Sequence, residues 1–121
     1  MMRYGIPAYR LPRDVLDLEI ARLIDLGITL ELNAPVVDLE TELRAGGFDA
    51  AFLAIGAPLS KRAYLPAGDS ARILDALSVL RSVAGGQMPS LGRTVVVYGG
   101  GNTAMDVART ARRLGATGRP W

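Results

Sequence analysis

Three consecutive glycines separate an apolar run from an amphipathic segment in VVVYGGGNTAMDVARTARRLGA, residues 95–116. Gly99, Gly101 and Ala104 match the spacing G-x-G-x-x-A, in which the first glycine permits a tight turn and the second lets the backbone approach a pyrophosphate. A helix that starts near Asn102 directs unpaired N–H groups at the phosphates, and Thr103 adds a side-chain donor. The motif predicts a dinucleotide site, and a tight corner without a ligand is the alternative.

The composition excludes several other kinds of chemistry. The chain has no cysteine and no histidine, so it offers no thiolate metal site, no cysteine-bound cluster and no Ser-His-Asp or Cys-His pair. The 14 basic and 12 acidic residues are scattered, which argues against nucleic-acid binding. No segment has the pattern of a membrane helix or a signal peptide, so we predict a cytoplasmic protein that contacts neither membrane nor nucleic acid.

The apolar periodicity predicts helices that alternate with strands. Pro12 and Gly27 bracket a first helix with a core-facing stripe. A second helix is expected over residues 38–45, a third that begins at a cap formed by Asp69 or Ser70, and a last over residues 102–114. The stripe of the first helix comprises Leu16, Ile20, Leu23 and Ile24, and the face of the third helix comprises Ile73, Leu77, Leu80 and Ala84. Strands are expected over residues 28–32, 48–56 and 93–98. Such alternation predicts an α/β fold with parallel sheets.

The segments MMRYGIPAYRLPRDVLDLEIARLIDLGI, FDAAFLAIGA, YLPAGD and VVVYGGGNTAMDVARTARRLGA occur in the order found in a known flavoprotein family. Over residues 1–116 the chain resembles the central part of the small (beta) subunit of NADPH-dependent glutamate synthase. It is also similar to the flavin module of dihydropyrimidine dehydrogenase. The resemblance implies an oxidoreductase that passes a hydride from NADPH to FAD and on to iron–sulfur clusters held elsewhere in the parent protein.

The resemblance also implies which residues contact the cofactors. By position, the NADPH turn comprises Gly99, Gly100, Gly101, Asn102, Thr103 and Ala104, and the FAD contacts comprise Met1, Arg10, Val36 and Gly56. The residues alone favour a plainer interpretation of each FAD position. Arg10 would cap a helix-start loop or pair with Asp14, Val36 would be ordinary core, and Gly56 would end a strand; for Arg10 the resemblance reverses that preference. Arg112 and Arg113 are interpreted as solvated charges. No residue is predicted to be a catalytic acid or base, and none to bind a metal.

The expected architecture is a partial doubly wound, Rossmann-like sheet arrangement. Residues 1–84 would form an incomplete FAD domain, residues 85–92 a linker, and residues 93–121 the first strand, turn and helix of an NAD(P)H domain. The expected partners are the remaining parts of the flavoenzyme and a large catalytic subunit. We expect the isolated chain to be inactive and to self-associate through apolar surface that an incomplete sheet leaves open. A non-catalytic α/β module that acts as an oligomeric or partner-binding piece is the alternative.

Overall fold

The computed structural model describes residues 1–57 and 72–117. Within those residues the chain forms four helices, which are α1 (Arg13–Asp25), α2 (Leu39–Gly46), α3 (Ala76–Ala84) and α4 (Asn102–Arg113). None of these helices has the length and apolar character needed to cross a membrane.

Local sequence signals explain where two of the helices begin and end. Asp38 caps α2 by accepting a hydrogen bond from the Glu40 amide at 3.1 Å, and Gly47, with φ 63°, ends that helix in the left-handed conformation. The bounds of α4 agree with the prediction to within one residue. The predicted helices over residues 38–45 and 102–114 are therefore confirmed.

The start of α3 differs from its prediction. The helix begins at Ala76, and its cap is Asp75, whose carboxylate accepts a hydrogen bond from the Ser78 amide at 2.8 Å. Ile73 precedes the helix, so its predicted place on the helical face is wrong. The predicted caps Asp69 and Ser70 lie outside the described residues.

The core of the described part lies between α3 and α4. Val79 and Leu80 of α3 pack with Val107 of α4, and the partly buried side chains against this cluster are Ala76, Leu91 and Val97. The first helix contributes little to the core. Leu16 is its one buried residue, whereas Leu23 and Ile24 of its predicted stripe are exposed. The expectation that α1 presents a whole core-facing stripe is therefore wrong.

The predicted α/β fold is also wrong for the part of the chain that the structure describes. Residues 28–32, 48–56 and 93–98 form no strand, and no sheet is present among residues 1–57 and 72–117. An apolar run becomes a strand only when a neighbouring segment pairs with its N–H and C=O groups, and the run itself does not supply that partner. Phe52 is 93% exposed and Ile55 is 84% exposed, as expected for a segment without a covering layer.

Candidate functional site

The glycine turn lies where residues 93–98 lead into α4. Thr117 follows α4 and donates from its backbone N–H and its hydroxyl to the Arg93 carbonyl, at 2.7 and 3.0 Å. These bonds tie the start of the segment to the C-terminal end of the helix. The connection through Gly99, Gly100 and Gly101 therefore forms at the opposite, N-terminal end of α4.

Gly99 and Ala104 shape the turn. Gly99 has φ 133°, a conformation that residues with a side chain rarely adopt, so the chain requires glycine at this position. A Cβ atom built on Gly99 would lie 3.6 Å from the Ala104 Cβ, which shows that residue 104 packs directly on the turn. The small residue at the third position of the motif thus lies against the first glycine of the turn.

The turn leaves open space above its backbone. A Cβ atom built on Gly100 or on Gly101 would have no heavy atom within 4 Å. Gly101 is the N-cap of α4, with φ −81° and ψ 176°. The backbone at these two positions is therefore accessible to a group as large as a phosphate.

The N-terminus of α4 carries less negative charge than the other helix starts. No side chain caps α4, and its first turn contains no acidic residue. By contrast, Asp14 lies in the first turn of α1, and Asp38 and Asp75 cap α2 and α3. The first N–H groups of a helix lack intrahelical partners and carry partial positive charge, so an anion can bind there. The arrangement fits a pyrophosphate.

Asn102 and Thr103 complete the predicted phosphate site. Asn102 is exposed and Thr103 is partly buried at the first two positions of α4. The structure thus brings Gly99, Gly100, Gly101, Asn102, Thr103 and Ala104 together at one corner. Their contact with NADPH stays a prediction.

A second cluster of polar contacts lies one helical turn further along α4. The Arg10 Nη1 donates to the Asp106 Oδ2 at 2.7 Å, so the partner of Arg10 is Asp106 and not the neighbouring Asp14. The Tyr9 hydroxyl donates weakly to the Asp106 carbonyl at 3.4 Å, and the Arg113 guanidinium lies 3.7 Å above the Tyr9 ring. Arg112 and Arg113 are both exposed, as predicted, although Arg113 also makes this ring contact.

The pair of Arg10 and Asp106 was not predicted from the sequence. The two residues are 96 positions apart, and no local pattern links them. One signal was available, because Asp106 is a charged residue directly beside Val107 on the apolar face of a predicted helix. A charge in that place needs a cation from another element.

The other predicted FAD residues do not join this cluster. Met1 and Val36 are exposed, and Gly56 has φ 71° with open space around it. The described contacts do not bring these three residues to Arg10. Their contact with FAD stays a prediction.

Comparison with known proteins shows that the chain is similar to segments of oxidoreductase subunits. The NADP(+)-dependent formate dehydrogenase subunit beta of Moorella thermoacetica is 42% identical over 120 residues, which is 96% of this chain. A putative glutamate synthase [NADPH] small chain of Cereibacter sphaeroides is 35% identical over 97% of the chain. The NAD-dependent dihydropyrimidine dehydrogenase subunit PreT homolog of Salmonella typhi is 36% identical over 94% of the chain.

The names of these three relatives describe subunits of oxidoreductases that use a pyridine nucleotide. The chain is homologous to a segment of the glutamate synthase small chain and its relatives, and the resemblance predicted from the four sequence segments is confirmed. The chain covers 17%, 31% and 28% of the lengths of the three relatives. No protein-family model matches the sequence. No solved structure matches it.

Proposed function

We propose that this chain supplies the pyrophosphate-binding turn for NADPH in a larger oxidoreductase. The observation that carries the proposal is the open glycine turn at the uncapped start of α4, where Gly100 and Gly101 leave the backbone accessible. Backbone N–H groups at such a helix start donate to phosphate oxygens. The homology to oxidoreductase subunits supports a redox cofactor over other anions as the ligand.

The parent reaction that we propose is hydride transfer from NADPH to FAD, followed by electron transfer to iron–sulfur clusters outside this chain. In such reactions the cofactors carry the chemistry, and the protein binds and orients them. The role of this chain is accordingly to bind phosphate through backbone groups and not to move protons. The names of two relatives include NADP(+) or NADPH, which supports the choice of nucleotide. FAD, the clusters and the cytoplasmic location stay predictions.

Titration of the ¹⁵N-labelled chain with NADP⁺, followed by amide NMR, tests the nucleotide site. We expect saturable shifts of the amides of residues 100–104, because these N–H groups lie where the pyrophosphate would bind. NAD⁺ carries the same pyrophosphate and should shift the same amides, whereas adenosine lacks it and should not. Shifts that are absent at these residues, or equally large across the whole chain, would contradict the proposal.

We propose that catalysis requires the rest of the parent protein. The chain covers only 17–31% of the three relatives, whose names describe them as subunits or a small chain of an enzyme. The test is NADPH oxidation by the isolated chain with added FAD and ferricyanide. We expect a rate equal to that of the reagents alone, and a protein-dependent rate would show that the chain is catalytically sufficient.

A second role, as an oligomeric or partner-binding piece, is supported by the exposed apolar side chains. Val37 is 95% exposed and Phe52 is 93% exposed, and both lie in non-helical segments. Large exposed apolar surfaces favour association. Sedimentation equilibrium should therefore show a mass that rises with concentration above the 12.9 kDa of one chain. A constant monomer mass would contradict self-association.

A further inference from the structure

A cavity of about 190 Å³ lies near the C-terminal end of α4, where the N-terminal segment meets α3 and α4. Its apolar walls come from all three parts of the chain and comprise Pro7, Leu80, Val83 and Leu114. An apolar cavity of about 150 Å³ accepts a benzene molecule, whereas pockets for drug-sized ligands have about 300–1,000 Å³. The volume therefore suits one ring that carries a small polar group.

Thr110 supplies a polar side chain to this cavity. The residue lines the cavity and is 4% exposed, and its hydroxyl makes no hydrogen bond with residues 1–57 or 72–117. A hydroxyl that is buried without a partner has lost its hydration without compensation. A ligand atom that forms a hydrogen bond with Thr110 would supply the missing partner.

Arg113 supplies a positive charge to the same cavity. Its guanidinium carbon lies 3.7 Å from the centre of the Tyr9 ring, and within the described residues the guanidinium forms no ion pair and no hydrogen bond. A guanidinium has five N–H donors and no acceptor. A ligand group that bonds to Arg113 must therefore be an acceptor, and the charge of the arginine favours a carboxylate.

The ends of α3 and α4 do not oppose the binding of an anion. The Val83 carbonyl accepts from the Gly86 amide and the Thr110 carbonyl accepts from the Leu114 amide, both at 3.0 Å, so cap amides already occupy them. Each helix C-terminus carries about half a negative charge. The basic side chains in the last turns outweigh that charge, and they are Arg81 of α3 with Arg112 and Arg113 of α4. The charge around the cavity thus favours an anion over a cation.

From this volume, these donors and this charge we propose that the cavity binds a free aromatic monocarboxylate, whose carboxylate bonds to Thr110 and Arg113. The acidic end of a partner polypeptide has the same chemistry, but the cavity holds one ring and no length of chain, so we commit to a small molecule. Thr110 follows Asn102 by eight residues, which is about 12 Å along the helix axis. The site is therefore separate from the glycine turn and independent of the function proposed for that turn.

An NMR titration of the full, methyl-labelled chain with sodium benzoate tests the site. We expect saturable shifts of the methyl groups of Leu80, Val83 and Leu114, and no shift of the amides of residues 100–104. Benzyl alcohol keeps the ring and lacks the charge, whereas acetate keeps the charge and lacks the ring. Each of these two probes should bind about fivefold or more weakly than benzoate. This comparison uses the native chain and does not depend on the folding of a variant.

Three variants test the assigned contacts. Arg113→Gln removes the charge, so it should weaken benzoate binding by about fivefold and change benzyl alcohol binding by less than about twofold. Arg112→Gln is the matched control, because Arg112 is the adjacent exposed arginine and does not line the cavity. It should change benzoate binding by less than about twofold. Ala84→Leu enlarges a side chain of the cavity wall at the last residue of α3, so it should abolish benzoate binding.

Several outcomes would overturn the proposal. They are the absence of saturable shifts at the cavity methyl groups, equal affinities for benzoate and benzyl alcohol, and equal losses in Arg113→Gln and Arg112→Gln. Tighter binding of a peptide with a C-terminal phenylalanine than of benzoate would assign the cavity to a partner polypeptide instead of a small molecule. Benzoate shifts at residues 100–104 alone would move the anion to the glycine turn, which would overturn this proposal and leave the proposed function of the turn intact.

Discussion

Replacement of Gly101 by alanine should separate the stability of the chain from its binding of the nucleotide. Gly101 has φ −81° and ψ 176°, which alanine adopts without strain, and a Cβ at this position would have no neighbour within 4 Å. Alanine restricts the unfolded chain, which stabilises a protein by about 0.4–1 kcal/mol, but it is a poorer N-cap than glycine by a similar amount. The free energy of unfolding should therefore change by less than about 1 kcal/mol.

Binding should respond much more strongly than stability. The added methyl group occupies the space that a phosphate would need above the backbone, so the hydrogen bonds from the start of α4 would lengthen or break. Each hydrogen bond to a charged group contributes about 1.5–3 kcal/mol, which corresponds to a loss of about tenfold to a hundredfold in affinity for one such bond.

The measurement combines urea unfolding with an NMR titration by NADP⁺. Gly85→Ala is the matched control, since Gly85 has φ −82° and its nearest neighbouring atom would lie 3.4 Å from the new Cβ, at the end of α3. Both variants should fold normally, and only Gly101→Ala should lose affinity. Native affinity in Gly101→Ala would show that the phosphate does not occupy the space above residue 101. Unfolding of that variant would show that the backbone at residue 101 does not tolerate a side chain.

Two further predictions concern stability. Leu80→Ala removes a side chain that is 4% exposed between α3 and α4, so it should lower the free energy of unfolding, measured in urea, by about 2–4 kcal/mol. The control Leu32→Ala, at a side chain that is 74% exposed, should change that free energy by less than about 0.5 kcal/mol. Equal effects of the two substitutions would contradict the described core. Hydrogen bonds from the Thr41 hydroxyl and the Glu40 amide hold the pKa of Asp38 below its ordinary value. The stabilisation of α2 by the Asp38 carboxylate should be complete above about pH 4 and lost as the pH falls through the lowered pKa. NMR titration of the Asp38 carboxyl carbon should give a midpoint below the ordinary aspartate value. A midpoint at or above that value would contradict the cap.

Local signals in the sequence predicted the ends of α2 and α4 and the glycine turn. Asp38 and Gly47 mark the ends of α2 through bonds between near neighbours, and Gly99, Gly101 and Ala104 have the conformations or contacts that their motif requires. These features depend on a few adjacent residues, so a pattern of residue types is sufficient to locate them.

Features that depend on distant partners were not predictable in the same way. The apolar runs at residues 48–56 and 93–98 have the composition of strands, but a strand also needs a hydrogen-bonding neighbour, and none occurs in the described part of the chain. The pair of Arg10 and Asp106 joins the N-terminal segment to α4 across 96 positions. The sequence shows that Asp106 lies on an apolar face, but it does not show which cation compensates it.

The position of bound nucleotide relative to α4 decides whether the glycine turn is a phosphate site. A crystal structure of the chain with NADP⁺ should show pyrophosphate oxygens about 2.7–3.2 Å from backbone nitrogens of residues 100–103. That result would establish the glycine turn as the phosphate site. Nucleotide bound elsewhere, with the start of α4 contacted only by solvent, would contradict the account.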